Sequence, residues 1–198
     1  MGSVFVSPLF CSSEWVINMQ NRVKNIVLVG LFAALIFVSI FLLNFPNPAG
    51  GIIHFGDSLI FTAAVLLPFP YALFAAAIGP GILNIVRVPH FFFFTIMIKP
   101  LLALCFTSKG KTILGEKRNI IAPFVASLIN IVLYFFATMI LFAFGIIEVG
   151  ELGAWAAGIA GLPGDFIQAG GSILVFFVIA GALDRLKIKE RLFPESKS

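Results

Sequence analysis

The chain holds little with which to do covalent or metal chemistry. Two cysteines, Cys11 and Cys105, and two histidines, His54 and His90, in 198 residues suggest neither a disulfide framework nor a histidine-rich metal centre. No glycine loop ends in Gly-Lys-Ser or Gly-Lys-Thr; Lys109-Gly110-Lys111-Thr112 is only a basic loop, and Gly79-Pro80-Gly81 has no lysine at all. The chain therefore does not hydrolyse ATP by itself. No Ser or Cys nucleophile stands in a motif with a histidine and an acid, so an enzyme is not expected, and neither is a bound cofactor. Internal repeats and low-complexity linkers are also missing, which points to one domain.

Charge is scarce as well. Asp, Glu, Lys and Arg make up 11% of the residues, against about 25% in soluble domains. Apolar residues make up 60%, the mean hydropathy is +1.09, and the 24 Phe are spread over every apolar run. Such a chain has too little polar surface to face water, so it is read as an integral membrane protein.

Six apolar segments are expected, giving an all-α, polytopic protein with six transmembrane helices. They run from Ile26 to Leu43, Asp57 to Pro68, Tyr71 to Val86, Phe91 to Phe106, Ile120 to Phe144 and Pro163 to Leu183. The first ends in Asn44-Phe45-Pro46-Asn47-Pro48 and Gly50-Gly51, turn chemistry that stops a helix. The second covers only about half of a ~30 Å hydrocarbon core at ~1.5 Å per residue, so residues 49–56 either dip into the protein or leave the helix lying shallow. Gly79-Pro80-Gly81 is expected to interrupt the third, Lys99-Pro100 lies in the fourth, and Pro123 falls in the first turn of the fifth. With six passes and both termini cytoplasmic, eleven of the 13 basic residues fall inside, leaving only Arg87 and Lys99; the loop at 145–162 carries Glu148 and Glu151 and no base. Residues 1–23 read as a tail, with Met19 an equally sensible start. Residues 24–187 form the membrane domain, and 188–198 a short cytoplasmic tail.

Polar residues inside the apolar field are candidates for function, each with a structural alternative. Lys99 is costly in lipid and either meets a ligand, pairs with Asp57 or Asp165, or snorkels. Asp57 caps the second helix or, with His54, lines a pocket. Asn84, one turn after Pro80, either satisfies a carbonyl freed by that proline or meets a substrate. Asn130 is expected to bond between helices. Asp165 and Gln168 have capping-box spacing but also fit a pocket rim. Trp155 is either a stacking platform or an interface anchor, and Phe91 to Phe94, Tyr134, Phe135, Phe136 and Phe166 carry the same ambiguity. Gly30 and Ala34 make a small-residue face suited to a partner or to a neighbouring helix of the same chain.

Four stretches, taken in order, carry a resemblance: Gly51-Ile52-Ile53-His54-Phe55-Gly56-Asp57, Pro70 to Gly81 with Asn84, Phe94-Thr95-Ile96-Met97-Ile98-Lys99, and Leu162-Pro163-Gly164-Asp165-Phe166-Ile167-Gln168. Over about residues 25–185 the chain resembles the S components, the substrate-binding membrane subunits, of energy-coupling factor (ECF) vitamin transporters, in the riboflavin and thiamine-precursor branch. The resemblance implies one vitamin-like ligand in a pocket gated by the first loop. It also implies a transmembrane coupling subunit and two cytoplasmic ATPases as partners, and a bacterial-type plasma membrane as the location. Carried onto this chain, His54 and Asp57 mark the gate, and Asn84, Lys99, Trp155, Asp165 and Gln168 the pocket. Gly30, Ala34 and Val38 mark the docking face. The family often has an acidic residue near Asn84 and an asparagine near Asp165, so the chain departs at both. A stand-alone secondary transporter, and after it a membrane scaffold or enzyme, are the competing classes.

Overall fold

The computed structural model describes residues 8–47, 51–148 and 153–192, with side chains from Met19 onward. Pro48, Gly50, Glu151 and the side chain of Cys11, all named above, lie outside the described residues.

The described residues form seven α-helices and one short ribbon. Helix α1 (Pro8–Leu42) leads into an antiparallel pair, β1 (Asn44–Pro46) and β2 (Ile52–His54), followed by α2 (Asp57–Leu66) and α3 (Tyr71–Arg87). A 3-10 turn at Pro89–Phe91 runs into α4 (Phe92–Leu104), and α5 (Lys117–Ala143), α6 (Ala154–Arg185) and α7 (Ile188–Leu192) complete the chain.

The expectation of six transmembrane helices does not hold. Among the described residues, three stretches are long and apolar enough to cross a membrane: 24 residues at Met19–Leu42, 27 at Lys117–Ala143 and 32 at Ala154–Arg185. Helix α2 has 10 residues, α3 has 17 and the turn with α4 spans Pro89–Leu104. At ~1.5 Å per residue even α3 falls short of a ~30 Å core. Hydropathy marks apolar runs but not how far each stays helical, and the even-pass argument for cytoplasmic termini loses its premise with the count.

Several boundaries also move. Helix α3 runs through Gly79-Pro80-Gly81 without interruption, and its two glycines serve packing. A Cβ at Gly79 would sit 2.7 Å from the Ala33 carbonyl oxygen, and one at Gly81 would sit 2.9 Å from Ile96 Cγ2, so α3 lies tight against both α1 and α4. Helix α5 starts at Lys117, which puts Pro123 in the second turn. Helix α6 starts at Ala154 and passes through Pro163, so the end of the expected 145–162 loop is helical.

Ile36, Ile40, Ile60, Val65, Leu83 and Leu102 fill the centre and are fully buried. Phe61, Phe106 and Phe176 join α2, the end of α4 and α6, with ring centroids 5.0 to 5.9 Å apart. Such pairs each contribute about 0.5–1.5 kcal/mol beyond burial. Outward faces carry Ile26, Val27, Leu31, Phe93, Met97 and Leu174, an apolar exterior that suits lipid.

The bundle has two unlike ends. At one, Asn119 accepts from Thr107 N and donates to the carbonyls of Thr107 and Ile113, while the Asp184 carboxylate accepts from Ile113 N and Leu114 N at 2.7 and 2.8 Å. Lys189 Nζ donates to Lys109 O, and Lys24 Nζ to Leu192 O. These bonds tie the 105–116 loop to the end of α6 and to α7. Burial holds the Lys189 ammonium below the usual lysine pKa, against the pull of Asp184 and Glu116. At the other end lies the β1/β2 hairpin, closed by Asn47 N donating to Gly51 O, with Arg87 stacked 4.6 Å over Phe41.

Candidate functional site

The hairpin folds inward. Its register pairs Asn44 with His54, Phe45 with Ile53 and Pro46 with Ile52, so Ile52 and His54 share one face and Ile53 takes the other. Glycines on α6 let it sit close: a Cβ at Gly164 would meet Ile53 Cδ1 at 2.9 Å, and one at Gly171 would overlap the Phe55 ring.

Behind the hairpin is a buried polar network. Lys99 Nζ on α4 donates to Asp57 Oδ1 on α2 at 2.6 Å and to Asn130 Oδ1 on α5 at 3.0 Å. Its ammonium also stands 5.1 Å from the centre of the Tyr134 ring. Gln168 Nε2 on α6 donates to Asp57 Oδ2 at 2.8 Å, and Gln168 Oε1 accepts from the His54 backbone N–H at 3.2 Å. His54 Nδ1 accepts from Gly56 N, which leaves Nε2 to carry the ring proton. Thus four helices and the hairpin converge on one ion pair. Charges removed from water this completely persist only when paired and hydrogen-bonded, as both are here.

A cavity opens above this network, with about 510 Å³ of empty space when the open solvent at its mouth is counted. Hairpin residues Asn47, Gly51, Ile52 and His54 form one wall. Asn84, Val88, Phe91 and Lys99 line it from α3 and α4, Asn130, Tyr134 and Thr138 from α5, and Gly161, Asp165 and Gln168 from α6. A second bond chain stiffens the α3 to α5 side: Asn84 Nδ2 donates to Thr95 Oγ1, which shares a hydrogen with the Tyr134 hydroxyl at 2.7 Å. Phe91 packs on Tyr134 at 5.9 Å, giving the cavity an aromatic side.

Of the seven residues assigned to the gate and pocket from the sequence, the structure brings together five, His54, Asn84, Lys99, Asp165 and Gln168, with Asp57 directly behind them. Trp155 is not among them; it is exposed and packs on Phe135 at 5.9 Å. Two capping readings give way. Gly56 is the N-cap of α2 and Asp57 makes no cap bond, its oxygens being taken by Lys99 and Gln168. Asp165 and Gln168 lie more than two turns inside α6 rather than at its start. Asn84 bonds Thr95 rather than a carbonyl freed by Pro80, and Asn130 joins α5 to α4 as expected. Asn47, Thr95 and Thr138 were missed. Nothing in a lone Thr within an apolar helix distinguishes a wall residue from one satisfied by its own helix, as Thr62 is by Ser58 O.

Gly30, Ala34 and Val38 share an exposed face of α1, and a Cβ at Gly30 would meet nothing within 4 Å. No helix of this chain covers that stripe among the described residues. Neither do the described residues contain a group of three or more His, Cys, Asp or Glu side chains placed for a metal ion.

An apolar-surfaced bundle with a polar-lined cavity at one end has the form of a small-molecule binding subunit. The family described as ECF-type riboflavin transporter, S component, matches residues 20–185, and the chain belongs to it. It is a membrane protein with several apolar spans and acts as the substrate-binding subunit of an ECF-type vitamin transporter of the riboflavin branch. No curated protein matches the chain.

Proposed function

We propose that the chain captures riboflavin in the hairpin-covered cavity and delivers it to an energising complex in the plasma membrane. The observation that carries this reading is the cavity itself: an aromatic wall at Phe91 and Tyr134 faces a hairpin wall, with polar side chains from four helices converging between them. His54, Asn84, Lys99, Asp165 and Gln168 are its polar contacts, and Asp57 holds Lys99 and Gln168 in position. The hairpin is the gate. Long hydrogen bonds tie it to α6, from His54 N to Gln168 Oε1 at 3.2 Å and from Asn47 Nδ2 to Gly161 O and Asp165 Oδ1 at 3.3 and 3.4 Å, weak enough to release when ligand enters or leaves.

Partners are a transmembrane coupling subunit and two cytoplasmic ATPases, which supply the energy this chain cannot. The uncovered stripe at Gly30, Ala34 and Val38 is where the coupling subunit docks, because small side chains admit a helix at close range. Residues 24–187 form the membrane domain, with flanking segments before and after.

Native mass spectrometry of the purified protein, before and after exposure to a panel of vitamins, tests the assignment. A riboflavin adduct at one copy per chain is expected. A different vitamin bound in preference to riboflavin, or no adduct from any member of the panel, would overturn it.

A further inference from the structure

Helix α6 is longer than the hydrocarbon it crosses. Its 32 residues rise ~48 Å against a ~30 Å core, so its ends stand in the headgroup layers. After Asp165 the next charged residues along it are Asp184 and Arg185, in its last turn, which places that turn among the headgroups. Asp184 is taken up there by the Ile113 and Leu114 amides. Arg185 is exposed and makes no hydrogen bond or ion pair with any described residue. An open groove runs from it along the outside of α6, lined by Phe177, Val178, Gly181, Ala182 and Leu186. Gly181 creates the groove, since a Cβ there would meet nothing within 4 Å. Phe177 bounds it, packed on Phe124 of α5 with ring centroids 6.2 Å apart.

We propose that this groove binds an anionic phospholipid, with the phosphate on Arg185 and an acyl chain lying over Gly181 toward Phe177. The order of groups along α6 matches the order of groups in the lipid: a guanidinium at the water side, then an apolar floor one to two turns deeper. A guanidinium binds phosphate through paired N–H donors, and those of Arg185 are uncommitted within the described residues. Exposed Lys187 beside it adds to the positive field. The negative end of the α6 dipole opposes an anion here, but the Ala182 and Asp184 carbonyls already accept from Leu186 N and Lys187 N. Arg118 provides the contrast. It also borders an apolar groove, at Cys105, Ile121 and Val125, but its guanidinium is committed to the Leu104 and Cys105 carbonyls.

The test is native mass spectrometry of the purified full-length chain in detergent, titrated with phosphatidylglycerol and with phosphatidylcholine of the same acyl chains. Wild type is expected to hold one phosphatidylglycerol about fivefold more tightly than phosphatidylcholine, and Arg185→Gln to bring the ratio to about twofold or less. Gly181→Leu fills the groove without a clash and should weaken both lipids about fivefold. Lys111→Gln removes an exposed charge from the loop at the same end and should leave the ratio unchanged. A wild-type ratio under about twofold, or an equal fall from Lys111→Gln and Arg185→Gln, overturns the inference in favour of diffuse surface charge. Undiminished lipid binding by Gly181→Leu also overturns it, as does a dimer that Gly181→Leu dissociates, which would make the groove an interface between two copies of the chain. Should Gly181→Leu not fold, the Arg185→Gln and Lys111→Gln ratios decide, both side chains being exposed.

Discussion

Lys99 Nζ lies 2.6 Å from Asp57 Oδ1, the two residues joining α4 to α2 in the middle of the bundle with almost no solvent exposure. Removing one partner leaves the other charge buried and alone, a loss of about 3–5 kcal/mol, whereas replacing both by apolar groups of similar size is close to neutral. Thermal unfolding in detergent should therefore show Lys99→Met and Asp57→Leu each strongly destabilised. The double variant should recover most of the loss. Additive losses would mean that the two charges do not depend on each other.

Gly171 faces the Phe55 ring where the hairpin meets α6, and the backbone there has no room for a side chain. Gly171→Val should push the hairpin away from α6, costing about 1–3 kcal/mol of stability and raising the ligand dissociation rate by about tenfold. Stopped-flow release of bound ligand measures the rate. An unchanged rate in a folded variant would separate the hairpin from gating.

Trp155 stands outside the cavity, exposed on Phe135. Trp155→Ala should leave ligand affinity within about twofold of wild type, as is usual for residues without ligand contact. A loss of tenfold or more in equilibrium titration would bring this ring into the site.

The Gly30, Ala34 and Val38 stripe is open in this chain. Ala34→Trp adds bulk to a face that touches nothing internal, so ligand binding should persist while co-purification with the coupling subunit falls by at least about tenfold. Retained co-purification would move the docking surface elsewhere.

Much of the site was legible in the sequence because ionisable and amide side chains are conspicuous in an apolar chain. Lys99, Asp57, Asn84, Asp165 and Gln168 stand out on cost alone. Their partners were harder to read. Capping spacing at Asp57 and at Asp165 with Gln168 is a local pattern, and the structure satisfies these groups through contacts over 42 and 111 residues of sequence that no local pattern encodes. The number of spans was misread for a related reason. Apolar content around Asp57–Leu66 and Pro89–Leu104 gives these helices buried faces without giving them membrane-crossing length. The Gly79-Pro80-Gly81 break was expected from propensity, but close packing of α1, α3 and α4 holds that helix together. The half-length α2 was readable from the sequence, which left open whether the segment before it dips inward or the helix lies shallow; the structure places Ile52–His54 in a hairpin strand that folds inward.

Equilibrium titration of purified protein with riboflavin, followed by flavin fluorescence, decides whether the hairpin-covered cavity binds riboflavin. Saturable one-to-one binding at submicromolar concentration is expected, about −8 kcal/mol or tighter, weakened at least tenfold by Asn84→Ala at the cavity wall. No saturable change up to about 100 μM riboflavin, or full affinity retained by Asn84→Ala, would contradict it.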